Sequence, residues 1–178
     1  RNIFIYPGAI LTVNGAGILR IAGSINNSGL FDASNGSLEF NGSAAQTISG
    51  GTFKDKTIKD LRISNPAGLS LPALSNDTLN ITDSVSFGVS NAVFTTHDNL
   101  TLKSTATGTA SVGFLSADND VTGNVIVERY INVGDPAMDG PGFHGKSWQF
   151  LAIPTKGQSV WESWMENGSS TSISTKYG

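Results

Sequence analysis

The feature that most constrains this chain is a three-residue beat, apolar–x–apolar, set between residues that make turns. It recurs as Leu11-Thr-Val13, Leu19-Arg-Ile21, Leu38-Glu-Phe40, Leu61-Arg-Ile63, Leu69-Ser-Leu71, Leu79-Asn-Ile81, Val85-Ser-Phe87, Leu100-Thr-Leu102, Val112-Gly-Phe114 and Val125-Ile-Val127. Each beat is the period-2 signature of a short strand, with two side chains inward and one outward. Between the beats lie Asn14-Gly15, Asn26-Asn27-Ser28-Gly29, Asn35-Gly36, Asn41-Gly42, Gly50-Gly51, Asn65-Pro66 and Asn91, residues that tolerate positive φ or fix a turn. Helical i, i+3, i+4 spacing never persists for ten residues before position 155. The first 130 residues therefore read as β.

Two all-β architectures fit. An antiparallel β-sandwich is built from strands of ~5–6 residues that alternate cleanly over that length. A parallel β-solenoid is built from rungs of roughly 20–30 residues, each with short strands and turns. Beats of three residues, with Thr12, Ser70, Asn80, Ser86 and Thr101 at the outward position, favour a right-handed parallel β-solenoid. The unequal spacing of the beats argues the other way and keeps the sandwich as the alternative.

Composition narrows the setting. Charged residues are 14% of the chain, about half the usual share, yet hydrophobic residues reach 38% and the net charge is −3. A disordered chain of like charge is excluded by that balance. The 11 Lys and Arg form no basic stripe, which argues against nucleic acid. No apolar run approaches the ~18–20 residues of a membrane span, so no membrane insertion is expected. Cysteine is absent, removing disulfides and thiolate metal sites. The low charge and lack of Cys fit an extracellular protein that does without disulfides.

Residues 1–133 read as the solenoid region, and Gly134 to Gly142, rich in Gly and Pro, open a linker over 134–147. Residues 148–178 hold all three tryptophans, at positions 148, 161 and 164, and read as a cap or the beginning of a further module such as a β-sandwich. Arg1-Asn-Ile-Phe-Ile-Tyr6 enters in mid-pattern without a polar cap. The expectation is a fragment whose N-terminal rung is covered by flanking domains of a larger chain or by like subunits end to end.

Several stretches carry a family resemblance: Leu38 to Gly50, Thr57 to Asn65, Asn99 to Ala110, Gly123 to Ile131 and Trp148 to Pro154. Over roughly residues 35 to 155 the chain resembles the repeat-bearing surface proteins of the Bacteroidetes, which are large, modular and commonly exported by type IX secretion. The resemblance implies a cell-surface location and a β-solenoid fold. Because that family contains adhesins, matrix components and glycan-active enzymes, it does not choose an activity.

Signals for chemistry are sparse. No G-x-S-x-G, H-E-x-x-H or phosphate loop occurs. His97 beside Asp98 reads as a turn histidine, and His144 lies in the Gly/Pro segment. Asp118-Asn119-Asp120 resembles the start of a calcium loop, but Arg129 stands where a bidentate Glu is needed, leaving Asp118 and Asp120 as weak calcium candidates and no other cofactor. Lys54, Lys56, Lys59 and Arg62 read as a solvated face. Asp77-Thr78-Leu79 and Asp83-Ser84-Val85 match the Asp-(Ser/Thr)-aliphatic acceptor signal that the resemblance brings, making Thr78 and Ser84 O-glycan candidates. The expected function is a secreted structural or adhesive module, a β-solenoid spacer contacting glycans or surface proteins, and not an enzyme. The alternative is a glycan-active β-helix lyase or hydrolase using Asp77, Asp83, His97 or Asp98. A third reading, an ice- or surface-binding plane, has a single Thr-x-Thr stretch, Thr105-Ala-Thr107-Gly-Thr109, to stand on.

Overall fold

The computed structural model describes residues 1–130 apart from Ser75 and Ala117. The solenoid unit runs over Arg1–Asn132, and the linker 134–147, His144 and the segment 148–178 lie outside the described residues.

Among the described residues fifteen strands follow one another: β1 (Ile3–Ile5), β2 (Ile10–Ile21), β3 (Ile25–Asn27), β4 (Leu30–Phe40), β5 (Gln46–Thr47), β6 (Thr57–Ile63), β7 (Leu69–Ser70), β8 (Leu79–Phe87), β9 (Val93–Thr95), β10 (Leu100–Leu102), β11 (Ser104–Thr105), β12 (Gly108–Thr109), β13 (Ser111–Val112), β14 (Asp120–Thr122) and β15 (Val125–Val127). Every ladder among the described residues is parallel except the β11–β12 hairpin. The chain is a parallel β-solenoid, and the sandwich is excluded, because sandwich sheets are antiparallel.

One long sheet runs β2-β4-β6-β8-β10-β15, with β13 also on β8; a second runs β5-β7-β9-β14; β1 pairs β3. Register puts like residues over like. Leu19, Leu38, Leu61, Val85 and Val112 form one inward column across five rungs. Ile21, Phe40, Ile63 and Phe87 form the next. Ala33, Ile58, Ile81, Leu102 and Val127 form a third. The second sheet contributes Gln46, Leu69, Phe94 and Val121. These columns make a single core that includes Phe31 and Phe53, whose rings lie 5.1 Å apart. At the β2 end the inward Leu11, Val13 and Leu19 are only half-buried, whereas Phe31, Ala33 and Leu38 beside them in β4 are fully enclosed.

The structure corrects the reading of the beats. Leu11–Val13 and Leu19–Ile21 lie within one strand, as do Leu79–Ile81 and Val85–Phe87, joined through slips of register at a bend. The unequal spacing has one source, because that bend carries an insert of varying length. From the third column to the first takes five residues after Ala33, three after Ile58, four after Ile81 and ten after Leu102, where the hairpin is inserted. The rungs are regular in space although the sequence is not. One outward and one inward assignment also change. Thr101 is buried, flanked in register by Asn80 and Ile126. Phe114, read as the inward end of a beat, is 91% exposed.

Corners leave backbone carbonyls that no strand pairs, and buried amides answer them. Asn65, fully buried, donates to the Ala44 carbonyl and to Gln46 Oε1 at 2.7 and 3.0 Å. Asn99 donates to the carbonyls of Pro72 and Leu74, and Gln46 to those of Ile21 and Gly23. This explains the Asn richness in part: a turn residue on one rung is a hydrogen-bond partner for the rung before it. Glycine is needed at Gly36, where a Cβ would stand 2.3 Å from the Val13 carbonyl oxygen of the neighbouring rung.

Candidate binding face

The bend of the long sheet gathers charged and hydroxyl side chains from successive rungs. Ser37, Asp60 and Ser84 sit in register on β4, β6 and β8. Both hydroxyls donate to Asp60, Ser37 at 3.0 Å and Ser84 at 2.7 Å. Lys59, displaced outward by the bend, reaches both Asp60 and Asp83 at 3.3 Å. Beside this column runs a second, Arg20, Glu39, Arg62 and Ser86. Glu39 is largely buried beneath its partners: Ser64 donates to it at 2.6 Å and Arg20 at 2.7 Å, with Arg62 at 3.5 Å. Asp32 accepts from Ser34 at 2.6 Å and from Lys54 at 2.9 Å. Lys103 and Glu128 pair one rung further on.

The cluster Lys54, Lys56, Lys59 and Arg62 is thus not simply a solvated face. Lys54, Lys59 and Arg62 each meet a carboxylate, and Lys56 donates to the Asn76 carbonyl. Apart from Lys59–Asp60, these ion pairs cross between rungs because parallel strands set equivalent positions ~4.8 Å apart. The electrostatics follow. The Ser34 hydroxyl and Lys54 hold Asp32 down at about 2. Ser64, then Arg20 and Arg62, outweigh burial and lower Glu39. Burial raises Asp60, but Ser84, Ser37 and Lys59 bring it below the usual carboxylate range. Lys103 lowers Glu128, and Asp32 and Asp83 push up Lys54 and Lys59 respectively. Each group is held in its charged form by its neighbours.

A third outward column lies on the second sheet: Thr47, Ser70, Thr95 and Thr122. Their hydroxyls link at 2.9 Å (Thr47–Ser70) and 3.2 Å (Thr122–Thr95). No contiguous motif announces this column, since its members are 23 to 27 residues apart. The contiguous Thr105, Thr107 and Thr109 instead lie on the β11–β12 hairpin and its turn, off the stacked faces.

The residues singled out for chemistry do not converge. Asp77 accepts from Ser49 and from the Gly51 N–H, both at 2.9 Å, and so ties one corner to the next. His97 is exposed at positive φ, its Nδ1 2.7 Å from the Leu71 carbonyl oxygen. Asp98 accepts from the Asn124 N–H. Asp83, on β8, is exposed and engages Lys59. Thr78 is half-buried just before β8, and Ser84 is half-buried on it. Asp118 is exposed, Asn119 Oδ1 caps the Ala92 N–H, and Asp120 accepts from the Val121 N–H. Among the described residues no three His, Asp or Glu side chains gather as a metal site would require. No helix of the described residues is long and apolar enough to cross a membrane.

Comparison with protein-family models, with curated proteins and with solved structures gives no match.

Proposed function

We propose that this chain is a non-enzymatic, extracellular surface module, a stiff β-solenoid spacer whose polar faces contact glycans or partner proteins. The observation that carries the reading is the cross-rung network at the bend. General acid catalysis at neutral pH needs a carboxyl held protonated, hence a raised pKa. Asp32, Glu39, Asp60 and Glu128 are all displaced in the opposite direction, by partners that also fix them in place. Such a face recognises better than it reacts. The hydroxyl column adds a row of donors and acceptors at rung spacing, suited to repeated weak contacts along an extended ligand. The resemblance to Bacteroidetes surface proteins supports the same setting.

The test exposes the full chain to a broad panel of polysaccharides, scoring retention and release of reducing or unsaturated ends in parallel. Retention without release is expected. Reproducible cleavage of any one polysaccharide overturns the proposal.

A further inference from the structure

A shallow open hollow of about 230 Å³ lies where two successive corners meet. Phe87 ends β8, Gly88, Val89 and Ser90 come from the corner between β8 and β9, and Phe114, Ser116 and Asn119 from the corner between β13 and β14. Phe114 stands at the hollow with 91% of its surface exposed, the most exposed large hydrophobic side chain among the described residues. At that exposure Phe114 packs against little of the core, and its ring is free to meet a ligand at the hollow. Ser116, also lining the hollow, has a buried Oγ with no hydrogen-bond partner among the described residues. That oxygen is closed to solvent, so Ser116 lines the hollow through its other atoms.

The chemistry of the lining selects the ligand. None of the lining residues is ionisable. The Arg62 guanidinium, which fills the room that Gly88 leaves, lies 3.5 Å from Glu39, whose carboxylate offsets its charge. Below the ~300–1,000 Å³ of pockets for drug-sized ligands, the hollow suits a single ring. An aromatic face beside the Ser90 hydroxyl and the Asn119 amide matches what one pyranose presents: an apolar C–H face and a rim of hydroxyls. Asn119 Oδ1 is taken by the Ala92 N–H, which fixes the amide and leaves its NH₂ to donate.

We infer that this hollow is a subsite for one neutral pyranose unit of a glycan, stacked on Phe114 and hydrogen-bonded by the Asn119 amide. The inference rests on the glycan-contact reading above and gives it a location. The test titrates the full chain with cellotriose, mannotriose, chitotriose and trigalacturonate, following saturation transfer to each sugar by NMR. Binding of at least one neutral trisaccharide is expected, weakened roughly tenfold by Phe114→Ala, retained by Phe114→Trp and unchanged by Phe4→Ala, a control at an exposed aromatic on β1. Because Phe114 is exposed, its replacement does not touch the core. Unchanged binding in Phe114→Ala overturns the subsite while leaving glycan contact elsewhere on the solenoid. Absence of binding by all three neutral sugars overturns it as well, and the polysaccharide panel then decides the wider reading separately. Tighter binding of trigalacturonate refutes the neutral class. Self-association that Phe114→Ala abolishes, without any sugar response, makes the patch a protein contact instead.

Discussion

Ser84 lies directly beside Asp60 across the β6–β8 ladder and donates its hydroxyl to that carboxylate at 2.7 Å. A sugar on Ser84 Oγ removes this donor and leaves Asp60, part-buried, with one fewer partner. Thr78 has no such commitment, since its hydroxyl makes no hydrogen bond among the described residues. If the chain is made in a host that modifies Asp-(Ser/Thr)-aliphatic sites, glycopeptide mass spectrometry should find Thr78 occupied in preference to Ser84. Full occupancy of Ser84 with Thr78 bare contradicts this.

Asp32, Glu39 and Asp60 all have lowered pKa values in the folded chain, so the unfolded chain binds more protons as the pH falls. Their contribution to stability is complete above the ordinary carboxylate range and is lost on acidification. For Asp32 the window runs from its ordinary 3.8 down to about 2. Urea midpoints measured between pH 6 and pH 2 should fall most steeply in that interval. Asp32→Asn should flatten the fall without affecting the plateau's shape above pH 5.

Asn65 fills three roles with one side chain: its amide nitrogen donates to Ala44 O and Gln46 Oε1, and its oxygen accepts from the Ala67 N–H. Asn65→Ala takes the donor from the Ala44 carbonyl and the acceptor from the Ala67 N–H, while Gln46 Oε1 keeps the Gly42 N–H, and should destabilise by about 1–3 kcal/mol. Asn80→Ala, at a half-exposed outward position, should cost under about 0.5 kcal/mol. Chemical denaturation of the two variants separates them; equal losses refute the corner role of Asn65.

Position along the stack should matter as much as residue type. Phe31→Ala opens a cavity in a fully enclosed rung and should cost about 3–5 kcal/mol. Leu11→Ala, at the half-covered β2 end beside it, should cost markedly less than the usual 2–5 kcal/mol for a core leucine. Similar losses at the two sites imply that β2 is covered in solution.

Gly36→Ala places a methyl group 2.3 Å from the Val13 carbonyl oxygen and must push two rungs apart, an overpacking cost of about 1–3 kcal/mol. Gly17→Ala, whose nearest neighbour lies 3.9 Å away, is the matched control and should be near neutral. Thermal unfolding of the pair reads the difference directly.

The candidate face was legible only in part. Lys59 and Arg62 stand out as a basic cluster, but, Asp60 aside, their partners lie on other rungs: Asp83 is 24 residues from Lys59, and Glu39 is 23 from Arg62. The hydroxyl column was invisible for the same reason. In a parallel coil, neighbours in space are one rung apart in sequence, and an insert of variable length at the bend hides the period that would reveal them.

What the sequence by itself determined is the β class and the inward half of each strand, because period-2 alternation is a local property fixed by where successive Cβ atoms point. Leu38, Leu61, Val85 and Ile63 were each identifiable as core from two neighbouring letters. Only the tertiary structure decided which strand lies on which, and hence that Asp60 takes two serines, that Asn65 serves the corner below it, and that Phe114 leaves the core for the surface. Register is set by the combined burial of all columns along the stack, with corner inserts absorbing the mismatch, and no short window of residues contains that sum.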